Sequence, residues 1–422
     1  MIRQYPLLDE TLFTRQLSNG LTVKVVPRAG FSRKIAYFAT RYGAIHRDFQ
    51  LDGQTYHMPE GVAHFLEHKL FELPDRDVSA EFAALGANVN AFTSYDLTAY
   101  YFSCTQQFDR CLRLLLEFVS TPYFTEESVQ REYGIIDQEI GMFEDSPDSR
   151  DFELLMTQMY REHPVRIPIL GSRESLRQIT PQVLETCHRA FYTPANMILC
   201  VVGDVDPEEV VQIAEQVLGT QLRPAGRSLP MPQEEMTCPV RDGALNMEVS
   251  MDSFRLGFKC ECPETGTDTA MLEVIGYLAA EALFGESSPL YLRLYEEGLI
   301  DTSFGGGFET LEGCAMMTCG GDSRDCQAVR QAILEEAARI SREGIGQEDF
   351  LRLKRGIMGR RIRDLDSFDS TCYRLCAYHF ADFDYFCFPE LYSAVSAAQV
   401  QQFLGRVVTE DRCSMTVIHP LQ

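Results

Sequence analysis

One short segment, Gly61 to Glu72, constrains this chain more than any other part of it. It contains His64-Phe65-Leu66-Glu67-His68, and on a helix two histidines four residues apart share one face, where both can bind a single metal ion. Glu67 lies on the same side, so its carboxylate could take a proton from a water molecule beside that ion. The apolar neighbours would bury the rest of the helix. The fold must then bring a further ligand to this helix from a distant part of the chain.

The order His-x-x-Glu-His is the inverse of the commoner His-Glu-x-x-His motif. The alternative interpretation is two histidines in a hydrophobic core and a glutamate on the surface. A pattern of this kind arises by chance in roughly one chain in a hundred of this length, so it needs support from a third ligand.

A helix that Thr125 is predicted to cap offers that third ligand. Glu132 and Glu139 are seven residues apart, which places both on the helix face that carries the isoleucines. Burying an unpaired charge is costly, so these carboxylates need a cationic partner. Either Glu139 or Glu132 is therefore the predicted third ligand, and ion pairing of both is the alternative.

Composition excludes several classes of function. The net charge of −24 argues against a nucleic-acid partner. The first residues lack the apolar core of a signal peptide, and no apolar run reaches the ~18 residues of a membrane span. Fourteen cysteines in a long chain without a secretion signal are expected to be reduced. We therefore expect a cytoplasmic protein that does not enter the membrane.

The order of predicted elements starts again after a segment that holds four prolines, Leu222 to Pro239. We therefore predict an α+β fold with an N-terminal domain over residues 1–222, a proline-rich linker over 223–240 and a related C-terminal domain over 241–422. The second half lacks His-x-x-Glu-His. Within the first half, His46 to Glu60 is predicted to be a polar loop.

A predicted strand, Asn88 to Thr93, lies close to the metal helix in sequence and is followed by a turn and a second strand, Leu97 to Cys104. If the first of these strands forms an open sheet edge, its free backbone groups could pair with an extended peptide. An ordinary hairpin is the alternative.

Four groups of residues together resemble the pitrilysin/insulinase family of zinc metallopeptidases, the inverzincins, and they span most of the first half. The groups are His64-Phe65-Leu66-Glu67-His68; Asn90-Ala91-Phe92-Thr93-Ser94 with Thr98 and Tyr100; Arg131-Glu132 with Glu139 and Ile140; and Tyr192-Thr193-Pro194-Ala195-Asn196 with Val202-Gly203-Asp204.

The resemblance implies one Zn²⁺ per chain, with His64, His68 and Glu139 as its ligands and Glu67 as the general base. It implies that Glu132 orients the site from behind the ligands.

For substrate, the resemblance implies an edge strand that holds a peptide by backbone pairing. Its residues are Asn90, Ala91, Phe92 and Thr93. The implied architecture is two homologous α/β-roll domains, each an antiparallel-rich sheet packed with helices, which together form half of a clam-shell chamber.

The second half resembles the family from Ser288 to Ile300, and there it departs from the family pattern. The family commonly has an arginine and, soon after, a tyrosine that bind substrate and stabilise the transition-state oxygen. This chain has Tyr295 in the place of the arginine, and Asp301 or Ser303 near that of the tyrosine. These residues resemble the YmfH-like bacterial branch. We therefore prefer a heterodimer with a zinc-less homologous subunit that supplies the pair over a homodimer.

The predicted function is zinc-dependent hydrolysis of peptides or unfolded protein segments. Two alternatives stay open. One is a catalytically inert peptide-binding or scaffold subunit that retains the metal site, which the missing arginine and tyrosine favour. The other is metal-dependent hydrolysis of a substrate that is not a peptide, which the predicted edge strand disfavours.

Overall fold

A computed structural model describes residues 1–74, 76–263 and 265–421. The strands are β1 (Ile2–Tyr5), β2 (Glu10–Gln16), β3 (Thr22–Pro27), β4 (Lys34–Thr40), β5 (Asp48–Leu51), β6 (Gln54–His57), β7 (Glu72–Leu73), β8 (Arg76–Asp77), β9 (Asn88–Thr93), β10 (Thr98–Cys104), β11 (Met197–Gly203), β12 (Arg227–Ser228), β13 (Asp242–Met247), β14 (Ser253–Cys260), β15 (Gly305–Leu311), β16 (Cys314–Asp322) and β17 (Cys413–Pro420). The helices are α1 (Val62–Leu70), α2 (Val78–Ala84), α3 (Phe108–Ser120), α4 (Glu126–Glu144), α5 (Pro147–Met159), α6 (Arg173–Leu176), α7 (Pro181–Phe191), α8 (Pro207–Leu218), α9 (Thr267–Phe284), α10 (Pro289–Glu296), α11 (Cys326–Glu343), α12 (Gln347–Arg363), α13 (Phe368–Phe380), α14 (Phe388–Ala394) and α15 (Ala397–Val407). Across the described ranges, none of these helices combines the length and apolar character that crossing a bilayer requires.

The chain forms two compact units, and each is discontinuous in sequence. The first unit contains residues 1–140, 168–230 and 362–387, and the second contains residues 141–167, 231–361 and those from 388 onward. One of the passages of the chain between the units, from Pro230 to Met231, lies inside the segment predicted as a linker. The units differ from the contiguous halves 1–222 and 241–422, because α5 belongs to the second unit and α13 to the first.

Packing against a sheet explains where these two helices belong. In the second unit α5 lies on β14, where a side chain at Gly257 would meet the Met159 sulfur at 2.3 Å. In the first unit α13 covers β11 and β4, and the Cys372 thiol lies 3.8 Å from the Cys200 carbonyl oxygen. The apolar face of a helix predicts that the helix packs against something, but it does not predict which of the two sheets.

The two sheets repeat one topology. The first unit has the strand order β1-β2-β3-β11-β4-β10-β9, and the second unit has the order β13-β17-β14-β16-β15. In the first sheet β3 and β11 are parallel and the other neighbours are antiparallel. In the second sheet β13 and β17 are parallel and the other neighbours are antiparallel. The second sheet therefore matches the part of the first that runs from β3 to β9, which confirms the predicted α+β fold of two related, antiparallel-rich domains.

The core of the first unit lies between one face of its sheet and the helices α1, α3, α7 and α8. Val23 and Val25 of β3 point into it, together with Phe65 and Leu66 of α1, and all four are buried. Burial of each such side chain contributes about 1.5–3 kcal/mol. These contacts fix α1 against the sheet and leave its histidine face directed away from the core.

The segment His46 to Glu60 is a hairpin with short flanks, so its prediction as a loop was wrong. β5 and β6 pair antiparallel, and the turn between them is Asp52-Gly53 with φ of 52° and 77°. An Asp-Gly pair with two positive φ angles matches the right-handed twist of hairpin strands. Strands of four residues hold too few apolar positions to stand out in a polar sequence.

In the second unit, Glu234 attaches the start of the unit's central segment to the end of α5. Its carboxylate accepts hydrogen bonds from the backbone N–H groups of Arg161, Glu162 and His163, at 2.8, 2.8 and 2.9 Å. It also accepts one from Lys259 Nζ at 3.1 Å. Burial raises the pKa of Glu234, but the hydrogen bonds more than offset it and hold that pKa at about 2.

Candidate metal centre

The helix that carries the histidines begins at a tight backbone crossing. Gly61 precedes α1 with φ +80°, and a Cβ built there would lie 2.2 Å from the Leu170 carbonyl oxygen. Gly171, with φ +72°, would in turn meet the backbone of Glu60 at 2.6 Å. Two glycines therefore allow the segments to approach more closely than any L side chain permits. This crossing fixes the first turn of α1, which contains the first histidine three residues after Gly61.

α1 and α4 bring the predicted ligands together. His64 and His68 are neighbours on α1, with ring centroids 4.6 Å apart and the ring planes tilted by 60°. The Glu139 Oε2 atom lies 3.6 Å from His64 Nε2 and 3.6 Å from His68 Nε2. Ligand atoms of His64, Glu67 and His68 also lie within 4.8 Å of one another. The structure thus gathers two imidazoles and two carboxylates around one point.

These distances match what a tetrahedral ion needs. Zn–N and Zn–O bonds of about 2.1 Å place two ligand atoms of a tetrahedral site about 3.4 Å apart. The observed separation of 3.6 Å between Glu139 Oε2 and each histidine Nε2 is close to this value. His64 Nδ1 is buried without a hydrogen-bond partner among the described residues, so no protein group at that atom fixes the ring. The site fits a divalent ion with nitrogen and oxygen ligands.

The electrostatics around the two imidazoles also favour a bound cation. Burial, and secondly the neighbouring His68, lowers the pKa of His64 to about 3, so this ring is neutral and able to bind a cation. Burial also lowers the pKa of His68. The hydrogen bond to Glu132 and the charges of Glu67 and Glu139 outweigh the effect of burial, so the pKa of His68 is raised overall. The carboxylates thus create a negative environment that stabilises positive charge between the rings.

Glu67 lies beside the candidate ligands and is held by a side chain of the sheet. Burial raises its pKa to about 7, and the charges of Glu139 and Glu132 contribute to the increase. The Thr93 hydroxyl donates a hydrogen bond to Glu67 Oε2 at 3.0 Å. The other carboxylate oxygen has no hydrogen bond within the described part of the chain and is available for proton transfer. Sequence reasoning assigned Thr93 to backbone pairing and missed this side-chain contact.

Glu132 contacts Nδ1 of the candidate ligand His68. Its Oε1 lies 3.0 Å from His68 Nδ1, which leaves His68 Nε2 directed at Glu139. Behind it lies Lys69, which is fully buried, pairs closely with Glu72 and lies 3.9 Å from Glu132 Oε2. Sequence reasoning did not identify Lys69. A lysine flanked by the apolar positions of α1, with Glu72 three residues later, was the available signal.

β9 lies at the end of its sheet. It pairs with β10, and no other strand in the described ranges pairs with its outer side. Asn90 is exposed, and Ala91, Phe92 and Thr93 are partly buried. Asn90 Oδ1 accepts a hydrogen bond from the Ala91 N–H at 2.9 Å, so a peptide carbonyl that paired with Ala91 would have to displace that side chain.

The second unit carries the positions that depart from the family pattern. Tyr295 lies on α10 with its ring stacked on Tyr291, and it is half exposed. The Asp301 carboxylate accepts hydrogen bonds from both the N–H and the hydroxyl of Ser303, at 2.7 and 2.6 Å. None of these three side chains supplies a guanidinium group.

Family models match both halves of the chain. The model described as "Insulinase (Peptidase family M16)" matches residues 53–173, and the model described as "Peptidase M16 inactive domain" matches residues 178–357. The first match covers α1 and α4, the elements that hold the candidate metal ligands. The second covers most of the second unit's sheet and the positions that lack the arginine and tyrosine.

Relatives match over the whole length. An uncharacterised zinc protease of Bacillus subtilis, YmfH, is 36% identical over 99% of this chain and 98% of its own. The crystal structure of an M16-like peptidase from Alicyclobacillus acidocaldarius has a TM-score of 0.93 at 34% identity, covering 98% of this chain and 99% of that one. A protease from Helicobacter pylori shares the fold, with a TM-score of 0.84 at 18% identity, over 97% and 99% of the two chains. The chain therefore belongs to the insulinase family of peptidases, family M16, and it is similar to the branch that contains YmfH.

Proposed function

We propose that this chain is a zinc-dependent endopeptidase that hydrolyses peptides or unfolded protein segments. The observation that carries the proposal is the position of Glu139 Oε2, 3.6 Å from the Nε2 atoms of both His64 and His68. Three ligands so placed leave one tetrahedral position open, which is the arrangement of catalytic rather than structural zinc sites. The zinc proteases among its relatives support the same assignment.

His64, His68 and Glu139 would hold one Zn²⁺. The ion supplies Lewis acidity, which polarises the scissile carbonyl and makes the attacking water more acidic. Glu132 keeps His68 in the tautomer whose Nε2 lone pair faces the site, by accepting a hydrogen bond from Nδ1–H.

Glu67 acts as the general base in this proposal. Its free carboxylate oxygen takes a proton from the attacking water and later delivers it to the leaving amine. The Thr93 hydroxyl holds the other oxygen at 3.0 Å, so the carboxylate keeps one orientation through both transfers. A pKa of about 7 suits a group that must both accept and release a proton near neutral pH.

The substrate would bind extended along β9, from Asn90 through Ala91 and Phe92 to Thr93, with its backbone paired to the open edge. This strand also contacts α1, so a paired peptide would pass close to Glu67. Backbone pairing selects peptides over other hydrolysable substrates.

The missing arginine and tyrosine suggest that the active assembly contains a second chain. We propose a heterodimer with a homologous zinc-less subunit that supplies this pair. We also propose the cytoplasm as the location, because the fourteen cysteines, all of which lie in the described ranges, form no disulfide there.

The proposal can be tested by measuring bound zinc and peptide cleavage. The samples are the purified chain and its Glu67→Gln variant, each alone and with a co-expressed homologous subunit. We expect about one zinc per chain in both wild type and Glu67→Gln, because an amide has nearly the shape of the carboxylate that it replaces. Cleavage of an unfolded casein substrate should fall by at least about a hundredfold in the variant, as expected for loss of a general base. The control is Glu81→Gln, which removes a partly exposed carboxylate on α2.

Wild-type turnover in Glu67→Gln would refute the role of Glu67. Zinc binding without cleavage, whether the chain is alone or paired, would favour the inert subunit. Full activity of the chain alone would refute the need for a partner, and activity that appears on pairing would support it.

A further inference from the structure

A cavity of about 380 Å³ lies in the first unit, on the face of the sheet opposite the metal centre. The strands β1, β2 and β3 form its floor, and the end of α13 with the residues after it forms its wall. Its volume falls in the lower part of the range for small-molecule sites, about 300–1,000 Å³. None of the residues with a role in the proposed peptidase lines it.

Lys24 is the feature of this cavity that requires an explanation. Its neighbours Val23 and Val25 point into the core, so Lys24 points from β3 to the other face. The residue is only 7% exposed and lines the cavity. Its ammonium group makes no hydrogen bond or ion pair with any residue that the structure describes. A lysine buried to this degree normally has an anionic partner, since an unpaired buried charge is costly.

The other charges of the cavity do not neutralise Lys24. The charges of Arg3 and Asp384 cancel each other through an ion pair of 2.8 Å, and the same Asp384 oxygen accepts a hydrogen bond from the Tyr5 hydroxyl at 2.5 Å. The exposed Met1 ammonium, which donates a hydrogen bond to the Thr14 carbonyl oxygen at 2.7 Å, and the exposed Asp382 carboxylate carry opposite charges and offset each other. One positive charge on the inner wall is left without a counter-charge.

His379 lines the cavity beside Lys24 and adds a hydrogen-bonding group without adding charge. Burial, and then the charges of Lys24 and Arg41, lowers the pKa of His379 to about 4, so the ring is neutral at pH 7. A neutral imidazole carries one N–H donor. Leu12 and Phe383 contribute apolar surface to the same cavity. The lining thus offers one uncompensated cation, one neutral donor and an apolar wall.

We propose that this cavity binds a small organic carboxylate, with the carboxylate on Lys24 Nζ and the His379 ring and its apolar part against Leu12 and Phe383. One uncompensated positive charge matches a monoanion. A doubly charged phosphate would leave excess negative charge close to Asp384, so the charge balance favours the carboxylate. The site is separate from the candidate metal centre and does not depend on the proposed peptidase activity.

Benzoate titrated into the full chain, with the melting temperature as the readout, would test this site. Benzoate should raise the melting temperature in a saturable way, because it binds the native state alone. Its neutral analogue benzamide, and inorganic phosphate at equal concentration, should have little effect. Lys24→Met should weaken benzoate binding by about tenfold or more, the cost of removing a charged hydrogen-bond partner. Lys24→Arg should retain binding within about tenfold, since it keeps the charge.

The matched control is Lys34→Met, which removes a lysine that lies outside the cavity lining and contacts the Ser32 carbonyl oxygen. It should respond to benzoate like wild type. Equal responses of Lys24→Met and wild type would overturn the proposal, as would no response up to about 50 mM benzoate. A stronger response to phosphate than to benzoate would overturn the assignment to carboxylates. If Lys24→Met fails to fold, His379→Gln takes its place, and an unchanged benzoate affinity in that variant would overturn the placement of the carboxylate.

Discussion

The glycine crossing at the start of α1 gives the sharpest prediction, which concerns Gly61→Ala. A Cβ at this position would lie 2.2 Å from the Leu170 carbonyl oxygen, and ordinary contact begins at 3.4 Å. The two segments must therefore separate by 3.4 − 2.2 = 1.2 Å. Because His64 lies one turn further along α1, we expect this displacement to reach the candidate metal ligands.

Two effects set the magnitude of the change. An L residue at φ +80° costs roughly 1–2 kcal/mol in backbone strain. Relief of the contact with Leu170 adds about 1–3 kcal/mol, the usual range for overpacking. We therefore expect Gly61→Ala to lower the free energy of unfolding by about 2–5 kcal/mol. A displacement near 1 Å at His64 should also weaken metal binding by at least about tenfold, because ligand positions must hold within about 0.5 Å.

Gly86→Ala is the matched control, since Gly86 has φ +72° but nothing lies within 4 Å of a Cβ built there. It should lose about 1–2 kcal/mol and keep wild-type metal affinity. Urea unfolding of the metal-free chains and zinc titration against a competing chelator would measure the two effects separately. If Gly61→Ala matched Gly86→Ala in both measurements, the close crossing would not position α1, and the reasoning would be refuted.

Two further predictions concern carboxylates. Glu132→Gln should weaken zinc binding by about 10–100-fold through His68, while Glu126→Gln, an exposed residue on the same helix, should not; equal affinities in a chelator competition would contradict this role. Glu234→Gln should lower the free energy of unfolding at pH 7 by about 2 kcal/mol after allowance for solvent screening, since a pKa of about 2 lies below the ordinary 4.5. Its hydrogen bonds, including that from Lys259, favour the ionised form. The stabilisation should therefore be complete above pH 4.5 and disappear as the pH falls toward 2. Urea unfolding at both pH values measures it, and a difference between variant and wild type that does not change with pH would refute the assignment.

The local part of the candidate site could be predicted because it depends on one helical turn. His64, Glu67 and His68 need only helical spacing to share a face, and the apolar residues between them supply the reason for a helix. Helical spacing alone left Glu139 and Glu132 as equal candidates for the third ligand, because both lie on one face of α4. Only the register of α4 against α1 places Glu139 at the Nε2 atoms and Glu132 at Nδ1 of His68.

The short hairpin of β5 and β6 shows a limit of another kind. Its Asp52-Gly53 turn was present in the sequence, but its four-residue strands carry little periodicity. The sequence did not identify Lys69 and Thr93, the residues that contact the candidate site residues, for a related reason. Thr93 contacts Glu67 of another element, and Lys69 lies 3.9 Å from Glu132 of α4, and no spacing rule describes these two contacts. The pairing of Lys69 with Glu72, three residues later, is the part that spacing could have indicated.

By itself, the sequence determined the candidate metal-binding face of α1, the α+β class and the recurrence of one order of elements in both halves, because each depends on residues near one another along the chain. Tertiary structure alone decided which carboxylate meets the histidines. It also decided that α5 and α13 each pack in the unit built mainly from the other half. The physical reason is that an amphipathic helix specifies a face to be buried, while the surface that buries it is selected by shape and packing across the whole fold.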